Sequence, residues 1–184
     1  MRILGIDPGI RNTGWGVVTL DGTRLVHLAN GVIQPDPKAR DATRLATIAN
    51  GLAEVIETHR PDGAAIEEIF VARSAASALK LGMARGVAMM QCAHASLDVA
   101  ELAAKQVKKS VVGTGRADKA QVTAMVARLL SVQAVNADAA DALAIAIAAL
   151  HRGPPVQDQA VGDGLSQAIE AALARDAGNK GGGV

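Results

Sequence analysis

Three apolar runs separated by two short turns fill the first 34 residues, and a chain that opens this way builds a sheet before it reaches its first helix. Ile3 to Ile6 is the first run, stopped by Asp7-Pro8-Gly9; Gly14-Trp15-Gly16-Val17-Val18-Thr19-Leu20 is the second, and Arg24 to Gln34 the third. The Asp21-Gly22 turn predicts that the second and third pair as an antiparallel hairpin. Helical spacing then takes over, with Leu45, Ile48, Leu52, Val55 and Ile56 recurring across residues 41–59 and Gly51 weakening the pattern without breaking it. Pro61-Asp62-Gly63 introduces a fourth strand, Ala64 to Phe70, with Glu67 and Glu68 inside it. Beyond it the sequence predicts a helix over Ser74 to Ser96, strands at Asp98 to Leu102 and Ser110 to Val112, and helices over Asp118 to Val132 and Ala137 to Leu150. Strands interleaved with helices in this way make an α/β chain.

A length of 184 residues with 49% apolar composition suffices for one core. The expected domain is residues 1–152; Gly153-Pro154-Pro155 ends the last helix, and residues 153–184, rich in Gly, Asp and Gln, are expected to form a mobile tail. Leu165 to Leu173 has the spacing of a short amphipathic helix within it. Cys92 is the single cysteine, which excludes an intrachain disulfide, and the dispersed His27, His59, His94 and His151 offer no zinc spacing. With neither a secretory h-region nor about 18 uninterrupted apolar residues, the expectation is a cytoplasmic protein.

Four carboxylates stand out by position. Asp7 and Glu67 lie at the ends of apolar strands, and Asp138 and Asp141 are three residues apart on the last helix. Each has an ordinary reading: Asp7 before Pro-Gly suits a turn, and Asp138 suits the positive end of a helix dipole. Asp138 and Asp141 also repel each other on a helix otherwise rich in Ala and Ile, a cost that a cation would relieve. If the four converge, a buried cluster of negative charge is tolerable only around cations, and hard oxygen donors suit Mg²⁺ or Mn²⁺. Glu67 and Glu68 point to opposite faces of their strand, so only one of them can belong to the cluster.

The formal charge of +1 conceals a strong asymmetry: residues 1–72 carry seven basic and nine acidic groups, residues 73–128 nine and three, and residues 129–184 three and six. A basic middle flanked by acidic segments fits a polyanion drawn over a metal site. Lys105, Lys108, Lys109, Arg116 and Lys119 form the densest basic group, around Gly113-Thr114-Gly115, and are candidate phosphate contacts as well as an ordinary solvated face. Phe70 and Trp15 are the two aromatic side chains; Trp15 reads as core, while Phe70 lies three residues beyond Glu67, where a displaced base could stack.

Gly5-Ile6-Asp7-Pro8-Gly9 with Thr13-Gly14, Ala65-Ile66-Glu67 with Phe70, Ser77-Ala78-Leu79-Lys80-Leu81-Gly82, Ala84-Arg85-Gly86-Val87, Lys105-Gln106-Val107-Lys108, Val111-Val112-Gly113-Thr114-Gly115 and Ala137-Asp138-Ala139-Ala140-Asp141-Ala142-Leu143 together resemble the RuvC family of Holliday-junction resolvases, from the first residue to about 151. The resemblance implies a ribonuclease H-like fold, a mixed five-stranded sheet flanked by helices in a single domain. It implies a Mg²⁺-dependent crossover junction endodeoxyribonuclease, with Mn²⁺ able to substitute, that uses two ions per site to make paired, symmetric cuts in four-way junction DNA and leaves 5′-phosphate and 3′-hydroxyl ends. By the same resemblance Asp7, Glu67, Asp138 and Asp141 are the catalytic metal ligands. Asp138 is left among three roles: direct ligand, ligand through water, or base. Phe70 is the stacking residue, Lys108 and Lys119 match the basic positions best, and the implied partners are a second copy of the chain and a junction-recognition and branch-migration complex. Two other readings compete. The Asp-x-Gly turn after a first strand also occurs in phosphotransferases of the actin and sugar-kinase superfamily, which need a second related domain that the sequence does not repeat; a non-catalytic junction-binding module would have no use for four acids.

Overall fold

The computed structural model of the protein describes residues 1–68, 75–132 and 136–153; Phe70 and the stretch Leu165 to Leu173 lie outside them. Strands β1 (Arg2–Asp7), β2 (Thr13–Asp21) and β3 (Arg24–Ile33) come first, then helix α1 (Asp41–His59), β4 (Gly63–Glu67), α2 (Ala75–His94), β5 (Val99–Leu102), α3 (Ala104–Val112), α4 (Lys119–Leu130) and α5 (Ala137–Arg152). The sheet order is β3-β2-β1-β4-β5: β2 pairs antiparallel with β1 and β3, and β4 pairs parallel with β1 and β5. This is the mixed five-stranded sheet expected, with β1 at its centre. The hairpin closes where Asp21 pairs with Arg24, and Gly22 supplies the left-handed residue (φ +59°) that the turn requires.

Side-chain alternation assigns each face of the sheet. Leu4 and Ile6 of β1, Val17 of β2, and Ala64 and Ile66 of β4 pack with Ile48, Leu52 and Val55 of α1 and Ala84, Ala88 and Cys92 of α2. Ile3, Val18, Ala65 and Leu102 pack on the opposite side with α3, α4 and α5. Every residue of α5 from Ala142 to Leu150 is buried, so this helix is the spine of the second layer. Its alanines let it settle very close to β1 and β2, where Gly5, Gly14 and Gly16 present no side chains. A Cβ added to Gly5 would lie 2.0 Å from the Ala142 carbonyl oxygen, and one added to Gly14 would lie 2.1 Å from the Asp138 carbonyl oxygen.

One expected strand is a helix. Ser110–Val112 forms the last turn of α3, whose buried residues are Val107 and Val111, four apart, and Gly113 ends it in a left-handed conformation (φ +83°) with its N–H on Lys109 O. Three residues are too short a run to separate period 2 from period 3.6, and the helix becomes legible only when Val107 is counted with Val111. The fourth strand ends at Glu67. Among the described residues, no helix is long and apolar enough to cross a membrane.

Candidate active site

The alternation that buries Leu4 and Ile6 against α1 and α2 turns Gly5 and Asp7 toward α5. In β4 the same rule buries Ala64 and Ile66 on one side and turns Ala65 and Glu67 to the other. The parallel register pairs Ile6 with Ile66, so Asp7 and Glu67 are the next residues of neighbouring strands on a shared face. Asp7 pairs laterally with Gly14, and the Gly14 backbone abuts the first turn of α5, where Asp138 stands. Asn136 caps that turn, its Oδ1 accepting from Asp138 N at 2.9 Å, and Asp141 follows one turn on. Four acids from three remote segments therefore meet at one end of the central strands.

Their electrostatics record the crowding. The Asp7 carboxyl is pushed up to about 7, first by burial, then by the charges of Asp141 and Glu67 and, more weakly, Asp138, against an opposing contribution from Lys119. Burial and Asp141 also raise Glu67, with Lys108 acting in the other direction. Lys119 Nζ lies 2.6 Å from Asp141 Oδ2, and this hydrogen bond raises the lysine. Glu67, Lys108, Lys119 and Asp141 line a cleft of about 270 Å³, with Ala104, Val107, Val122 and Ala144 as its floor. The acids are neighbours without forming a closed shell: among the described residues, no three acidic, His or Cys side chains converge tightly enough to hold an ion as placed. The donor set nonetheless fits a hard divalent cation, because it is all carboxylate oxygen and mutually repulsive where it is buried.

The other expected site residues separate. Lys108 and Lys119 border the cleft, whereas Lys105, Lys109 and Arg116 are exposed and do not line it. Glu68 is exposed, its N–H donating to Leu102 O at 2.9 Å, so it is a solvent-facing charge. Trp15 packs against the α1–α2 side core, its ring 5.5 Å from that of His59. Two residues that the sequence reading did not single out support the acids. Asn12 Nδ2 donates to Asp138 Oδ2 at 3.0 Å, and Arg85 of α2 ion-pairs with Glu101 of β5 while its Nε faces Glu67 O at 3.4 Å. Spacing carries no signal for Asn12, a neutral polar side chain in a turn 126 positions from its partner.

A model of the family described as crossover junction endodeoxyribonuclease RuvC matches residues 3–149. The chain is 56% identical over 147 residues to the crossover junction endodeoxyribonuclease RuvC of Caulobacter vibrioides, covering 79% of this chain and 87% of that one. It is 57% identical over 151 residues to that of Maricaulis maris, covering 82% and 91%. Among solved structures, the T. thermophilus RuvC in complex with a Holliday junction substrate superposes with a TM-score of 0.76 at 34% identity, covering 80% of this chain and 92% of that one.

Proposed function

Because the chain belongs to the RuvC family of crossover junction endodeoxyribonucleases, it is a Holliday-junction-resolving endonuclease, and we propose that Asp7, Glu67, Asp138 and Asp141 are the metal ligands with which it cuts. One observation carries this reading. Three segments distant in sequence bring acids to one end of the sheet, and the central one, Asp7, is held at a pKa of about 7 by burial and by its neighbours' charge. Folding that tolerates such repulsion needs a compensating charge, and in this family the compensation is a divalent cation.

Two Mg²⁺ ions, with Mn²⁺ as a substitute, would activate an attacking water and stabilise charge on the leaving 3′ oxygen, leaving a 5′-phosphate. Asp7, on the middle strand with β4 and Glu67 on one side and β2 and α5 on the other, would serve both ions, and Glu67 and Asp141 would serve one side each. Lys119 neutralises Asp141 through its 2.6 Å contact to Oδ2, and a cation that took over that charge would free the ammonium for a phosphate oxygen. Lys108, across the cleft beside Glu67, supplies the second positive charge there, and the exposed Lys105, Lys109 and Arg116 extend the basic surface along the DNA. Phe70 stacks on a base near the cut. Incubating the protein with synthetic four-way junctions and with linear duplex, each with and without Mg²⁺, tests this. Cleavage confined to junctions with metal is expected, and equal cutting of duplex or cutting in chelator would reject it.

Two copies would place two such sites on opposing strands. The outer stripe of α2 suits the interface: Leu79 and Met90, eleven residues apart and so on one face, are 67% and 44% exposed, and a Cβ added to Gly82 or Gly86 between them would point into open space. A Leu79→Glu, Met90→Glu double variant is expected to sediment as a monomer where the wild type is a dimer. Persistence of the dimer would move the interface elsewhere. A junction-recognition and branch-migration complex is the further partner we propose, on family grounds.

A further inference from the structure

We propose that Asn12 is a positioning residue for Asp138, fixing the rotamer and leaving one oxygen of that carboxylate free for a cation; this rests on the reading of Asp138 as a metal ligand. Asn12 Nδ2 donates to Asp138 Oδ2 at 3.0 Å, and Gln34 Nε2 reaches Asn12 Oδ1 at 3.4 Å, which decides the end of the amide turned toward the acid. With Oδ2 taken by the amide, Oδ1 is the atom available for ligation.

The turn that carries Asn12 is built to hold it still. Thr13, fully buried, donates from Oγ1 to Gly9 O at 2.9 Å and accepts from Gly9 N at 3.4 Å. Arg44, 6% exposed on α1, donates from Nη2 to Ile10 O at 2.7 Å. Gly9 lies so near that an added Cβ would sit 2.4 Å from Asn12 O. From the helix side, Asn136 holds the Asp138 backbone through the 2.9 Å N-cap bond. Asp138 is thus held from both ends, by its helix through the backbone and by the β1–β2 turn through the side chain. A carboxylate held in one orientation by a neutral donor loses less freedom when it binds a cation, the usual contribution of a group hydrogen-bonded to a ligand.

The test compares wild type, Asn12→Ala, Asp138→Asn and the double variant, each measured for Mn²⁺ affinity by calorimetry on the DNA-free protein and for the metal concentration giving half-maximal junction cleavage. Asn12→Ala is expected to weaken Mn²⁺ about tenfold and to raise the half-maximal metal concentration equally, with turnover at saturating metal within about threefold of wild type. Its metal-free melting temperature should not move, because Asn12 is exposed. In the double variant Asn12→Ala should add nothing to the loss from Asp138→Asn. Wild-type metal affinity in Asn12→Ala, or additive losses in the double variant, would overturn the inference while leaving the role of Asp138 intact. If Asp138→Asn itself binds Mn²⁺ as wild type does, the reading of Asp138 fails and the inference with it.

Discussion

Asp7→Asn is expected to lower junction cleavage by at least about 10³-fold while leaving junction binding in place, since the metal ligand proposed at Asp7 would supply several kcal/mol to the transition state and each decade of rate needs about 1.4 kcal/mol. The same substitution should make the metal-free protein more stable at neutral pH, which separates lost chemistry from lost structure. In the folded chain the Asp7 carboxyl keeps its proton up to about pH 7, whereas a free aspartate gives it up near 3.8. Below pH 3.8 the group is protonated in both states and contributes no difference. As pH rises from 3.8 toward 7 the unfolded chain gives up the proton and the folded chain does not, so the wild type loses stability through that window and carries the full penalty above it. Asparagine never ionises and escapes the penalty, gaining about 2 kcal/mol at pH 8, a discounted share of the shift because solvent reaches part of the carboxylate. Urea unfolding in chelator at pH 5 and pH 8 measures it: the variant's advantage should grow with pH, and Mg²⁺ should stabilise the wild type more than the variant. Cleavage within tenfold of wild type would end the assignment of Asp7, and an advantage that shrinks with pH would end the account of its environment.

Gly5→Ala is expected to destabilise the protein by upward of about 3 kcal/mol, although it adds one methyl group. The added Cβ would fall 2.0 Å from the Ala142 carbonyl oxygen and 2.7 Å from Ala146 N, and these are backbone atoms that no rotamer change can move aside. Relief requires α5 to lift from β1, which opens the core on that side and carries Asp138 and Asp141 away from Asp7 and Glu67. A melting temperature lower by about 10 °C is the expected reading by circular dichroism. Junction cleavage should fall even at temperatures where the variant remains folded, because Asp141 precedes the displaced Ala142. A melting temperature within about 2 °C of wild type would overturn this account of how α5 packs on β1.

The strands, their turn chemistry and the long helices were readable from residue order, and so was the face on which Asp7 and Glu67 lie. The alternation of Leu4, Gly5, Ile6 and Asp7 is a local property of an extended backbone, and it holds whatever the chain later meets. What the order could not separate was period 2 from period 3.6 in Ser110-Val111-Val112, a run that helix α3 claims through Val107 and Val111. Nor did residue spacing rank the basic residues, although the family resemblance singled out Lys108 and Lys119, the two that border the cleft. Lys105, Lys108 and Lys109 share one short helix, yet of the three only Lys108 borders the cleft with Glu67, because the burial of Val107 and Val111 sets the rotation of α3 against its neighbours.

By itself, then, the sequence determined the periods of the longer elements, the faces of the central strands and the helix-borne pair Asp138 and Asp141, since each depends on backbone geometry within a few residues. Tertiary structure alone decided that these acids become neighbours, that Lys119 reaches Asp141, and that Asn12 reaches Asp138 across 126 positions. Such contacts depend on how closely separate elements approach. Here that approach is set by glycines on β1 and β2 meeting α5, Gly5 against Ala142 and Ala146, Gly14 against the Asp138 backbone and Gly16 against Leu143, a match between surfaces made only when the chain folds.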